Sequence, residues 1–241
     1  MEAVGGDVKP MGERCEGRTG VPRPTTWIGS FVGAPLVWAA VDAAVLVPVK
    51  DFRQAKARLA GVLSADERIR LARWTAELVV AAAAPLPVFV ACDDSTVAEW
   101  AESLGATVLW RPSVGLNAAV LDGINALGAA GIEHAIVAHS DLPLAAALPT
   151  LVMTGGIVLV PDGRSDGTNV LAVPTRAGFE PAYGSQSFQR HLAHAMGLGV
   201  PVRVQRDPQL ALDIDTPADL VHPLIAKALP AWLRTNRANH P

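Results

Sequence analysis

Cysteine is nearly absent from this chain of 241 residues, which holds only Cys15 and Cys92. So few cysteines exclude a disulfide framework or a structural zinc site and suit a reducing compartment such as the cytoplasm. Charge is sparse too, at 18% of residues with a net balance of -3. That excludes the basic surface that nucleic-acid binding requires. The longest apolar stretch, Phe31 to Val49, contains Asp42 and two prolines. It lacks a charged leader followed by a small-residue cleavage site, so it reads as an irregular lead-in and a buried strand rather than a membrane span or a secretory signal. Neither the phosphate loop GxxxxGK[ST] nor the glycines of a dinucleotide fingerprint occur.

Half of the residues are hydrophobic, enough for one large α/β domain with a proper core. Residues 1–40 are rich in Gly, Pro and Arg without hydrophobic period, and read as a disordered or irregular extension. A single domain is expected over 41–230 and a loose tail over 231–241. Within the domain, "AVLVPV", "PVFVACDD", "ATVLW" and "HAIVAHSD" read as strands. They alternate with the helical stretches "SADERIRLARWTAELVVAAAA", "STVAEWAESLG" and "LNAAVLDGINALGAAG". Ser64 and Glu67 have the spacing of a capping box. This succession predicts a Rossmann-like, mostly parallel sheet with helices on both faces. After Asp141 the rhythm changes: "GIVLVPD" and "TNVLAVP" are separated by a short loop, which predicts an antiparallel excursion and hence a mixed sheet. Helix "SFQRHLAHAMG", strand "PVRVQ" and a helix from Pro217 to about Leu229, with Thr216 as its cap, complete the reading.

Asp93, Asp94, Asp141, Asp162 and Asp215 each follow an apolar run, where an open α/β sheet binds ligands. Singly, each is equally readable as a helix cap, and Asp94 is read as one. Asp213 and Asp215 are two apart, so on a strand they share a face, and with Asp141 they could offer hard oxygen ligands to Mg²⁺. Adjacent acids repel unless a cation or solvent relieves them. The loop "PVKDFRQAKARL" carries Lys50, Arg53, Lys56 and Arg58, either as a polyphosphate clamp or as solvated surface. Thr168 after Gly167, and the stretch from Gly184 to Ser187 ahead of a helix, are readable as an anion site or as an ordinary turn and cap. His139 reads as a packed core histidine.

Six segments in order resemble the CofC family of GTP-dependent nucleotidyltransferases over roughly residues 43 to 222: "VPVKDFRQAKARL", "LNAAVLDGI", "SDLP", "DGTNVL", "YGSQSFQRH" and "DIDTPADL". The resemblance implies a fold of the GT-A, MobA-like type and synthesis of the guanylylated phospho-acid precursor of the deazaflavin coenzyme F-420. It implies that Lys50, Lys56 and Arg58 grip the nucleotide phosphates and that Leu116, Asn117 and Ala119 lie beside guanine. Asp141 and Asp213 then hold Mg²⁺, with Asp215 as a neighbour, while Thr168, Gly184 and Ser187 receive the acceptor. Phosphoenolpyruvate is the favoured acceptor, because the Ala- and Arg-heavy composition fits the bacterial branch; 2-phospho-L-lactate, 3-phosphoglycerate and a MobA-like or sugar-phosphate substrate are the alternatives. A downstream transferase would take the product, and a homodimer is compatible with the resemblance. Ala57 stands where the family usually has a hydroxyl, and Ser140 where it often has Gly or Ala.

A chain beginning at residue 41 should fold and keep full activity. Loss of its circular dichroism signature relative to the full chain would show that the lead-in is an integral element.

Overall fold

The computed structural model describes residues 43–112 and 114–238. The expectation for residues 1–40 lies outside them. The run Ala43–Pro48 (β1) is apolar on both faces, and its first five residues are buried, as a strand covered by helices on both sides must be. Helix α1 (Ala65–Ala82) starts at the predicted capping box: the Ser64 hydroxyl accepts from the Glu67 N–H and the Glu67 carboxylate accepts from the Ser64 N–H. Then follow β2 (Val88–Cys92), α2 (Ser95–Ser103), β3 (Thr107–Trp110), α3 (Gly115–Ala129) and β4 (His134–Ala138). Asp94 caps α2 as expected, accepting from the Val97 N–H at 3.1 Å.

The second half comprises β5 (Ile157–Pro161), β6 (Thr168–Pro174), α4 (Ser187–Gly197), β7 (Val202–Val204), α5 (Pro223–Ala228) and α6 (Ala231–Ala238). The sheet order is β3-β2-β1-β4-β6-β5-β7. Its first four strands are parallel, and β6 runs antiparallel to both β4 and β5, the predicted excursion. Because side chains alternate across a strand, β1 feeds two cores. Val45 and Val47 pack with Ala72, Val79 and Trp100 on the α1/α2 side, and Ala44 and Leu46 with Ile124, Leu127 and Phe188 on the α3/α4 side. Among the described residues no helix is long and apolar enough to cross a membrane.

Four expectations fail at the C-terminal end. The stretch around Leu212–Asp215 is irregular rather than a strand, and residues 217–229 do not form one helix: a 3₁₀ turn at Asp219–Val221 precedes α5. His222 is extended, as the residue before a proline tends to be, and breaks the two apart. Thr216 is no cap either; its N–H and hydroxyl both donate to the Asp219 carboxylate, at 2.6 and 2.9 Å. The last is the loose tail, because residues 231–238 form α6. Leu233 is fully buried in a third cluster with Leu59, Leu63, Leu71, Ile214, Leu220, Ile225 and Leu229, and Arg70 lies 4.3 Å over the Trp232 ring. A few apolar residues in a short polar stretch do not announce burial; the surface they cover, on α1 and the loop after β1, is far away in sequence. Leu233→Ala should therefore destabilise the fold by about 2–5 kcal/mol, the range for a fully buried leucine. An unchanged urea midpoint would contradict this packing.

Candidate active site

The site is built at the carboxyl edge of the parallel strands. After β1 the chain passes Lys50, exposed, and enters a 3₁₀ turn whose cap is Asp51. The Arg53 side chain donates to Asp51 at 2.9 Å and to Asp94 at 3.1 Å, so it braces the loop. Lys56 adopts left-handed backbone (φ 58°, ψ 33°), which costs a non-glycine residue roughly 1–2 kcal/mol. The side chain it directs inward is only 6% exposed, and its ammonium donates to Asp141 Oδ2 at 3.0 Å while lying 3.6 Å from Asp215 Oδ1. Arg58, 73% exposed, reaches Asp215 Oδ2 at 3.6 Å.

Asp141, just beyond β4, meets Asp213 and Asp215 from the irregular C-terminal segment, and one carboxylate oxygen from each lies within 4.8 Å of the others. The two segments are tied directly, since the Ile214 N–H donates to the Asp141 carbonyl at 3.2 Å. Asp213 is pushed up to about 7 by burial first and then by the charges of Asp141 and Asp215. At Asp141 burial also opposes ionisation, but the Lys56 ammonium and the neighbouring His139 outweigh it and leave the carboxyl below its ordinary range. Its Oδ1 is buried with no hydrogen-bond partner among the described residues. One lysine at hydrogen-bond distance does not balance three carboxylates, and an orphaned buried oxygen on a hard-ligand cluster fits a divalent cation. His139 is packed as expected, its ring 4.9 Å from that of Tyr183.

The residues expected at the acceptor come together beside β6 and α4. Thr168, the first residue of β6, is buried, with its hydroxyl 3.0 Å from His191 Nδ1. His191 Nε2 accepts the Ala182 N–H at 2.8 Å, so the ring proton sits on Nδ1 and donates to Thr168. Burial, helped by nearby cations, lowers His191 to about 4 and keeps it neutral. His191 is absent from the expected set; its only sequence signal is its place four residues after Ser187. Gly184 has φ 117°, a conformation glycine alone adopts readily, and its carbonyl accepts from the N–H of buried Ser187 at 3.1 Å.

Asn117 is engaged by the protein's own backbone. Its amide is spent on the backbone of Tyr183, accepting from the N–H and donating to the carbonyl. It thus fastens α3 to the segment before α4. Leu116 and Ala119 do line a crevice, together with Lys50, Cys92, Asp93 and Arg111, where β1, β2 and β3 end against the start of α3.

A family model described as guanylyl transferase CofC like matches residues 43–227. Among curated proteins, the phosphoenolpyruvate guanylyltransferase of Sphaerobacter thermophilus is 38% identical over 188 residues, covering 73% of this chain and 89% of that protein. That of Rubrobacter xylanophilus is 36% identical over 184 residues, covering 73% and 90%. Among solved structures, a nucleotidyl transferase from Methanothermobacter thermautotroptrophicus aligns with a TM-score of 0.56 at 16% identity, over 81% of this chain and 99% of that one. A candidate nucleotide-diphospho-sugar transferase from Desulfovibrio desulfuricans G20 aligns at 0.62 with 14% identity, over 82% and 96%. These similarities show the nucleotide-diphospho-sugar transferase fold.

The acid cluster predicts its own pH behaviour. A folded-state pKa near 7 at Asp213, above the ordinary carboxyl value, means that the contribution of this group is fully present at low pH and is lost as pH rises towards 7. Without metal, Asp213→Asn should raise the melting temperature at pH 8 relative to the unsubstituted protein. Added divalent cation should stabilise the unsubstituted protein more at pH 8 than at pH 5.5 and should do so much less for the variant. A cation response independent of both pH and residue 213 would contradict the assignment.

Proposed function

The chain belongs to the CofC-like guanylyl transferase family, and from that premise we propose that it transfers GMP from GTP to the phosphate of phosphoenolpyruvate, releasing pyrophosphate. The observation that carries the reading is the convergence of Asp141, Asp213 and Asp215 beside Lys56 and Arg58 at the carboxyl edge of the sheet. A phosphate oxygen of the acceptor attacks the α-phosphorus of GTP, and the bond from that phosphorus to the β-phosphate bridge breaks. The nucleophile is already ionised at neutral pH, so no general base is needed. Both reactants are anions, and the protein's task is to align them and offset their repulsion.

Asp141, Asp213 and Asp215 would hold Mg²⁺, which when bound stabilises charge on the reacting phosphates. Lys50 and Arg58 reach the departing pyrophosphate from the loop after β1. Lys56 has a second part: its ammonium keeps Asp141 ionised and in place. Thr168, oriented by His191, and the Gly184–Ser187 turn receive the acceptor. The names borne by the relatives favour phosphoenolpyruvate over 2-phospho-L-lactate or 3-phosphoglycerate. Such acceptors differ by small groups that a pocket separates by about 1–3 kcal/mol unless a buried polar atom is left unpaired. A cytoplasmic location and a downstream transferase of coenzyme F-420 biosynthesis accord with this product. A MobA-like transferase is disfavoured, because "VPVKDFRQAKARL" stands in place of the Gly-rich loop of those enzymes.

Pyrophosphate should appear only when GTP, Mg²⁺ and a phospho-acid are all present, with phosphoenolpyruvate giving the highest kcat/KM. Asp141→Ala should lower kcat by about 10²–10³-fold, the scale of losing one aligned electrostatic group. No turnover with any phospho-acid, together with GTP binding unaffected by Asp141→Ala and Asp213→Ala, would overturn the reading.

A further inference from the structure

The Asn117 amide is engaged by the Tyr183 backbone, and its side chain is not among those that line the crevice. The charged side chains that line it are Lys50, Asp93 and Arg111. Asp93 is exposed and makes no hydrogen bond or ion pair among the described residues, whereas its neighbour Asp94 is engaged by both the α2 cap and Arg53. Arg111 is held by the Trp110 carbonyl at 2.9 Å and by Asp122 at 3.4 Å, so its position in the crevice is set. The remaining wall is largely apolar, with Val49, Ala91, Leu116 and Ala119.

An apolar wall edged by one carboxylate and two cations suits an apolar-faced ring with polar atoms at its rim. Its place fits a base. The strand order sets β2 two strands from β4, roughly 10 Å at the usual strand spacing. A nucleotide whose α-phosphate lies at the acid cluster beyond β4 spans that distance to bring its purine over β2.

We propose that Asp93 is a specificity-determining residue that reads guanine, its carboxylate accepting hydrogen bonds from N1–H and from the 2-amino group; this rests on the guanylyltransferase reading above. Guanine presents two adjacent donors there and an acceptor at O6 that suits an Arg or Lys donor. Adenine presents an acceptor at N1, which a carboxylate repels, and hypoxanthine lacks the 2-amino donor. A hydrogen bond to a charged group is the strong kind, and a site built around one rejects analogues that leave it unpaired.

Xanthine carries a carbonyl where guanine has the 2-amino group, so Asp93→Asn, which replaces an acceptor with a donor, should exchange the preference. Pyrophosphate release is measured with GTP, ITP, ATP and XTP under saturating phosphoenolpyruvate. The unsubstituted enzyme should favour GTP over ITP by at least about tenfold, as one charged hydrogen bond provides. In Asp93→Asn, kcat/KM should fall at least tenfold for GTP and rise for XTP, through KM rather than kcat. The rise is a gain that misfolding does not produce. The stabilisation by GTP and by XTP in thermal melts, without acceptor, should shift the same way. A ratio of XTP to GTP use that changes less than threefold on Asp93→Asn overturns the proposal alone. An unsubstituted protein that releases no pyrophosphate from GTP overturns the guanylyltransferase reading and this one with it.

Discussion

Repulsion among three carboxylates is the constraint on which the rest of this structure turns. Two unit charges 4.8 Å apart repel by about 3–4 kcal/mol even at an effective dielectric constant near 20. Holding Asp141, Asp213 and Asp215 together therefore calls for a proton, a cation or solvent, and of the three Asp215, 47% exposed, has the most solvent. Lys56 supplies part of the compensation at 3.0 Å from Asp141, and it reaches that place through a strained left-handed turn. The raised pKa at Asp213 reflects burial first and then the charges of Asp141 and Asp215.

The scaffold opposes this repulsion with burial. Ile214, between the two C-terminal acids, is fully buried against Leu59, the residue after Arg58, and both belong to the cluster that Leu229 and Leu233 complete. The same apolar contact therefore fixes the basic loop and the acidic segment relative to each other. Removing the C-terminal helix from this cluster would loosen the charges it does not touch. On the other flank, the Asn117 clamp and the His191–Thr168 bond fix the segment from Ala182 to Ser187 against α3 and β6. The site is thus held from two sides by groups that carry no net charge.

Much of this was legible in the sequence, because local rules decided it. The βα alternation, the Ser64–Glu67 box, the Asp94 cap and the antiparallel strands all follow from neighbours in the chain. The grouping of Asp141 with Asp213 and Asp215, far apart in the chain, was legible only through the shared hard-ligand chemistry of the acids and the family resemblance. What was not legible depends on partners far away in sequence. Leu212–Asp215 looks like a strand by alternation, but Ile214 is buried in the satellite cluster instead of joining the sheet. Asn117 sits in a segment that the resemblance sets beside guanine, and spacing does not reveal that Tyr183, 66 residues on, takes both ends of its amide. Lys56 looks like a phosphate clamp, and its burial against Asp141 gives it a second role that spacing does not reveal.

The central claim is that the three acids hold a divalent cation at the reacting phosphates. Diffraction from crystals grown with Mn²⁺ and a non-hydrolysable GTP analogue tests it most directly, through the anomalous signal of the metal. The account predicts a peak bridged by Asp141, by Asp213 or Asp215 and by phosphate oxygens, with the Lys56 ammonium still beside Asp141. A nucleotide bound in the crevice with no metal at these carboxylates, or with metal held elsewhere in the chain, would contradict it.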